Sequence, residues 1–139
     1  MAGKTERRRR QRIDVALPIK IEYNKQRLLA ETKNISVLGT CLETDKEIPI
    51  GAALDIEIEI PKLSLRETGE KRWISCKGAA FRCQPIVSEK SKGRYGIGIF
   101  FRSFAGGEEK AIAKYIEYFL QQESEKGKIY MRKRKHEPK

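Results

Sequence analysis

Apolar residues recur at every second position along most of the chain. Val15, Leu17, Ile19, Ile21 and Tyr23 alternate with other residues, the period of a half-buried strand. Pro18 falls inside that run and favours an edge position or a bulge, because proline brings no amide hydrogen to a ladder. Residues 24–26 read as a turn and residues 27–34 as the returning strand. Residues 34–39 form a corner, where Gly39 is expected to supply backbone angles that a Cβ resists. Residues 40–44 make a third strand. After a polar loop with Pro49 and Gly51, Leu54, Ile56, Ile58 and Ile60 alternate with Asp55, Glu57 and Glu59, and Pro61 ends the run. Residues 62–71 suit an exposed hairpin loop, and residues 72–85 a long strand bent near Gly78. Tyr95, Ile97, Ile99 and Phe101 form the last alternating strand, with Gly96 and Gly98 on its other face, where a close neighbour is expected. Trp73 and Phe81 are expected in the core.

The period then changes. Ile112, Tyr115, Ile116, Phe119 and Leu120 fall on one face of a helix over residues 106–126. Glu108 and Glu109 suit its N-terminal end and Lys126 and Lys128 its C-terminal end, with Gly127 as the stop and residues 127–139 as a fraying basic tail. The Tyr115/Phe119 stripe suits core packing or a homodimer face. Six or seven strands with no helix between them imply a mainly β domain, an antiparallel barrel or sandwich over residues 13–104, with one helix docked on it.

Composition sharpens this picture through charge. The formal net charge is +11, yet residues 1–12 carry +5 and residues 126–139 carry +6, so the 113 residues between them balance to zero. A neutral body with cationic ends points to a local anion site rather than a broad polyanion face. Hydrophobic residues make up 39%, enough for a small barrel with a solvated outer surface. Cys41, Cys76 and Cys83 form no C-x-x-C pair and sit in strand-like runs, which reads as reduced thiols in a cytoplasmic protein. The single histidine, His136, lies in the charged tail, so no metal site and no nucleophile–base pair is expected, and the chain does not read as an enzyme. No apolar run approaches membrane-spanning length.

The candidate chemistry lies in two short stretches. Arg7-Arg8-Arg9-Arg10-Gln11-Arg12 places guanidinium groups on an arm, residues 1–12, expected to be disordered until a ligand orders it. Asn34-Ile35-Ser36-Val37-Leu38-Gly39 places two small hydrogen-bonding side chains and a glycine at a strand corner. A guanidinium can take two phosphate oxygens, or the O6/N7 edge of a guanine, and its face stacks on a base. Asn34 and Ser36, two apart, are expected to face one side and meet the polar edge of a purine.

In order and spacing these stretches resemble the two-part motif of PilZ domains, R-x-x-x-R followed by D/N-x-S-x-x-G. Arg8 and Arg12 match the first half, and Asn34, Ser36 and Gly39 the second. The closing Tyr95-Gly96-Ile97-Gly98-Ile99-Phe100 is similar to the last strand of that family. The resemblance implies a six-stranded antiparallel β-barrel with a C-terminal α-helix packed on it. It also implies a receptor for cyclic di-GMP that changes conformation and acts on a protein partner in motility, biofilm or virulence control. Where the family often has Asp, this chain has Asn34, which loses charge-assisted bonds to guanine N1–H and N2–H. In relatives a basic residue at the position of Arg7 accompanies an intercalated ligand dimer, so two stacked cyclic di-GMP molecules are expected. Arg9 and Arg10 add auxiliary charge. Two other classes compete. One is a PilZ-fold adaptor without ligand, against which the intact motif argues. The other is a small barrel binding single-stranded nucleic acid, which requires aromatics interleaved with Lys/Arg on the strands; no such interleaving is expected here, and DNA is not an expected partner.

Overall fold

In a computed structural model the described residues are 11–61, 71–88, 90 and 93–136. Six antiparallel strands close into a barrel in the order β1-β2-β3-β6-β5-β4. The strands are β1 (Pro18–Tyr23), β2 (Gln26–Ile35), β3 (Gly39–Thr44), β4 (Ala53–Pro61), β5 (Lys71–Pro85) and β6 (Tyr95–Phe104), and one helix, α1 (Glu108–His136), follows. Period-two patterning explains the closure. Ile19, Ile21, Leu54, Ile56, Ile58, Ile60, Ile74, Ile97 and Ile99 all point inward and are at most 2% exposed. The alternate positions, such as Asp55 and Glu57, face water. Pro18 is the first residue of β1 and pairs with Glu31 of β2, while the pairing to β4 begins at Ile19. The missing amide therefore falls where the β4 ladder has not started.

Three expectations are corrected. Trp73 and Phe81 are not core residues. Trp73 alternates with inward-facing Ile74 and lies outside, with the Lys20 ammonium 4.2 Å from its ring centroid. Phe81 has the same outward parity as Trp73 and is the extra residue of a bulge between Ala80 and Arg82. The helix does not stop at Gly127 but runs to His136. One interior glycine costs a helix only about 1 kcal/mol relative to alanine, and the Lys/Arg residues that follow are good helix formers. The residue 62–71 loop lies, but for Lys71, outside the described residues.

The helix is tied to the barrel at its first turn. Glu108 accepts hydrogen bonds from Arg72 Nη2 (2.9 Å) and from the Ser75 amide (3.1 Å). Ile112, Tyr115 and Ile116 complete the core. Burial, reinforced by the nearby Glu108 carboxylate, pushes the Cys76 thiol up to about 12. That thiol stays protonated and acts as a small apolar side chain.

The chain ahead of β1 is anchored by one side chain. Thr32 Oγ1 accepts from the Leu17 amide at 2.9 Å and donates to the Val15 carbonyl at 2.6 Å. Ile13 and Ile35 exchange two backbone hydrogen bonds of 3.0 Å, and Ile13 is 2% exposed. Thr32→Val keeps the shape and deletes the hydroxyl, leaving a donor and an acceptor unpaired. The expected cost is about 2 kcal/mol in urea denaturation, together with faster hydrogen exchange at the Ile13 amide. Wild-type values for both would show that the hydroxyl is not the anchor.

Candidate functional site

The two motif stretches meet on the outer face of the barrel. Arg12 Nη1 donates to Asn34 Oδ1 at 2.7 Å, across 22 positions of sequence. The meeting follows from local structure: the Ile13–Ile35 bridge lays the chain beside the end of β2, so the preceding side chain falls over Asn34. Arg12 thus lies against the barrel. Arg7 and Arg8, with Arg9 and Arg10, lie outside the described residues.

Ser36 sits differently from the expectation. It is 1% exposed, and its hydroxyl accepts from the amides of Leu38 (3.1 Å) and Gly39 (3.3 Å). Strand β2 ends at Ile35, so period-two alternation no longer carries Ser36 to the side of Asn34. The hydroxyl instead satisfies the amides of the turn and fixes its shape. Gly39 is needed for a different reason from the one expected. Its backbone is not left-handed; among the described glycines only Gly51, Gly93 and Gly107 have positive φ. A Cβ on Gly39 would stand 2.2 Å from the Ile99 carbonyl oxygen. Close packing of β3 on β6 excludes any side chain there.

Beyond the motif the face continues across the strands. Asn34 on β2 pairs with Cys41 on β3, Cys41 with Gly98 on β6, and Gly98 with Arg82 on β5. Phe81 lies over Gly98, where a Cβ would come within 2.7 Å of the ring. This is the close neighbour expected at Gly98; Gly96 has none nearer than 3.9 Å. Phe100 lies 6.4 Å from Phe81 between ring centroids, with the Arg102 guanidinium 5.4 Å from its own ring. Aromatic and arginine side chains therefore do share this face, contrary to the expectation of no interleaving. The bulge at Phe81 hid the pattern, because it breaks the alternation that would have turned Arg82 inward.

Arg12 Nη1 and Arg82 Nη2 each lie 3.7 Å from Cys41 Sγ. Their nitrogens can thus be at most about 7 Å apart, and at that distance two cations repel by about 0.6 kcal/mol in water and about 2 kcal/mol at an effective dielectric of 20. An anion placed between them relieves that repulsion. The face is open. A cavity of about 700 Å³ elsewhere, lined by Lys20, Leu29, Asp55, Ser75 and Phe104 among others, includes none of the motif residues. Among the described residues no group of three or more His, Cys, Asp or Glu is placed to hold a metal ion, and no helix is long and apolar enough to cross a membrane.

Comparison with known proteins places the same architecture elsewhere. The sequence model of the PilZ domain matches residues 6–118. No curated protein sequence matches the chain. Among solved structures, the Bacillus subtilis inhibitor of motility, MotI/DgrA, is similar with a TM-score of 0.66 and 18% identity, over 80% of this chain and 50% of that one. Klebsiella pneumoniae MrkH in its apo state gives 0.64 and 19%, over 84% and 53%. The PilZ domain of Escherichia coli YcgR, solved with c-di-GMP, gives 0.59 and 14%, over 88% and 98%. The chain thus spans about half the length of MotI/DgrA and MrkH.

Proposed function

The chain belongs to the PilZ domain family, and we propose that it is a receptor for cyclic di-GMP that passes the signal to a partner protein. The observation that carries this reading is the 2.7 Å hydrogen bond between Arg12 and Asn34, which joins both halves of the family motif at one point of the barrel surface. The ligand has two phosphodiester anions and two guanines. Arg12, together with Arg8, offers planar forks for phosphate or for the guanine O6/N7 edge. Asn34 offers an amide to a guanine edge. Ser36 acts through the turn whose amides it satisfies, and Gly39 by letting β3 lie against β6. No chemistry is performed on the ligand. Binding instead changes the surface around residues 7–12, and a partner reads that change. Likeness in fold to a motility inhibitor favours motility control as the output.

Two ligand molecules per chain are expected, stacked on one another. Their four phosphates call for more cations than Arg8 and Arg12 supply, and Arg7 is next in the chain. Calorimetric titration with cyclic di-GMP should give two molecules per wild-type chain and one per Arg7→Ala chain. A ratio of one for the wild type rules out the stacked pair, and no heat or retention at all rules out the receptor. The aromatic and arginine groups around Phe81 and Phe100 also suit the bases of a single-stranded nucleic acid. Displacement of cyclic di-GMP by an oligonucleotide at equal nucleotide concentration would favour that second reading.

A further inference from the structure

The site has a second jaw, outside both motif halves. Arg82 is exposed, and its guanidinium reaches back over β6 to Cys41 on β3. Two local features aim it there. The bulge between Ala80 and Arg82 makes Phe81 the unpaired residue and turns the chain so that Arg82 comes opposite Gly98. Gly98 has no side chain, so nothing on β6 stands between Arg82 and the thiol. Phe81 covers that glycine from the side, which prevents β6 from carrying a Cβ at this point.

What Arg82 meets at Cys41 does not satisfy it. A thiol sulfur is a weak acceptor, and Arg12 already lies 3.7 Å from the same atom. The two guanidinium nitrogens can be no farther apart than twice that distance. Among the described residues, neither Arg12 nor Arg82 is within ion-pair distance of a carboxylate. Three other barrel arginines differ: Arg27 is beside Glu22, Arg72 beside Glu108 and Arg94 beside Glu43, while Arg102 lies over the Phe100 ring. Of the barrel arginines among the described residues, Arg12, Arg82 and Arg102 are thus without an acid partner, and the first two converge on one thiol sulfur, on the face where Asn34 lies.

We propose that Arg82 is a phosphate-binding residue of the cyclic dinucleotide site, holding a phosphodiester opposite Arg12 with Cys41 as the floor between them. The inference rests on the receptor reading above and extends the site from β2 across to β5. An anion seated over Cys41 is shared by both guanidiniums, whereas Arg12 and Asn34 alone offer one fork and one amide.

The test is titration of the full chain with cyclic di-GMP at several salt concentrations, for wild type, Arg82→Ala, Arg82→Lys and Arg27→Ala. Arg82→Ala should bind roughly tenfold to a hundredfold more weakly. Its affinity should also fall less steeply with added salt, because a cation has left the site. Arg82→Lys should restore the salt dependence and only part of the affinity, since an ammonium lacks the planar fork. Arg27→Ala, altered at the opposite end of β2 from Asn34, should bind as wild type does. If the wild type binds and Arg82→Ala binds within twofold of it with the same salt dependence, Arg82 is no part of the site and the receptor reading stands. If the wild type does not bind, both fall.

Discussion

Gly39→Ala is expected to destabilise the barrel more than any other one-methyl change on the motif face. The new Cβ would stand 2.2 Å from the Ile99 carbonyl oxygen and 3.1 Å from the Phe100 Cα. Both are backbone atoms of β6, so no side chain can swing aside. Gly39 pairs with Phe100 at the first rung of the β3–β6 ladder, and its carbonyl accepts the Ser36 amide at 2.8 Å. Relief therefore requires opening either the ladder or the turn. Overpacked sites cost typically 1–3 kcal/mol, and a clash with backbone belongs at the upper end, about 3 kcal/mol. For a domain of this size that lowers the melting temperature on the order of 10 °C. Gly96→Ala is the matched control. Its Cβ would meet nothing nearer than the Gln84 carbonyl oxygen at 3.9 Å, an ordinary contact, so its melting temperature should stay near wild type. Equal melting temperatures for the two variants would show that β3 moves freely off β6 at the motif turn.

This glycine also shows how far the sequence could be read. Period-two patterning located β1, β4 and β6, because strands with one buried face must alternate, and the turns and loops between them bounded the other three to within a few residues. The order of Arg8, Arg12, Asn34, Ser36 and Gly39 pointed to the family. What the pattern could not carry was anything depending on pairing between distant strands. The reason for Gly39 lies in Ile99, sixty residues on, and nothing near Gly39 in sequence reveals it. Ser36 follows the last residue of β2, where alternation no longer decides which way a side chain points. The bulge at Phe81 adds one residue to β5, which puts Arg82 on a face that strict alternation does not predict. Trp73 is a different case. Its neighbours Ile74 and Cys76 have the inward parity, so alternation alone already placed Trp73 outside, and its bulk was the misleading signal.

Arg12→Ala is expected to abolish most cyclic di-GMP binding while leaving the barrel intact. The two effects separate because Arg12 is exposed and its side chain does little for the fold. Its bond to Asn34 lies at the surface and contributes at most about 1 kcal/mol, so melting should change only slightly. On the ligand side the loss is larger. A guanidinium shared between a phosphodiester and a guanine edge makes charge-assisted bonds of roughly 1.5–3 kcal/mol each, so deleting it should weaken binding roughly a hundredfold or more. Arg12→Lys separates charge from geometry. It keeps the cation near Cys41 but cannot make the paired N–H contacts, so it should recover the salt dependence without recovering the affinity. Asn34→Asp tests the partner group, with two opposing consequences. A carboxylate at this position accepts more strongly from guanine N1–H and N2–H, which favours the ligand. It also holds Arg12 in an ion pair that the ligand must break. An exposed ion pair is worth at most about 1 kcal/mol, less than the charge-assisted bonds gained, so Asn34→Asp should bind more tightly than wild type. Weaker binding by Asn34→Asp would mean that Arg12 must be free to leave Asn34 before the ligand can enter. Unchanged binding by Arg12→Ala would mean that the anion seat does not include this arginine at all.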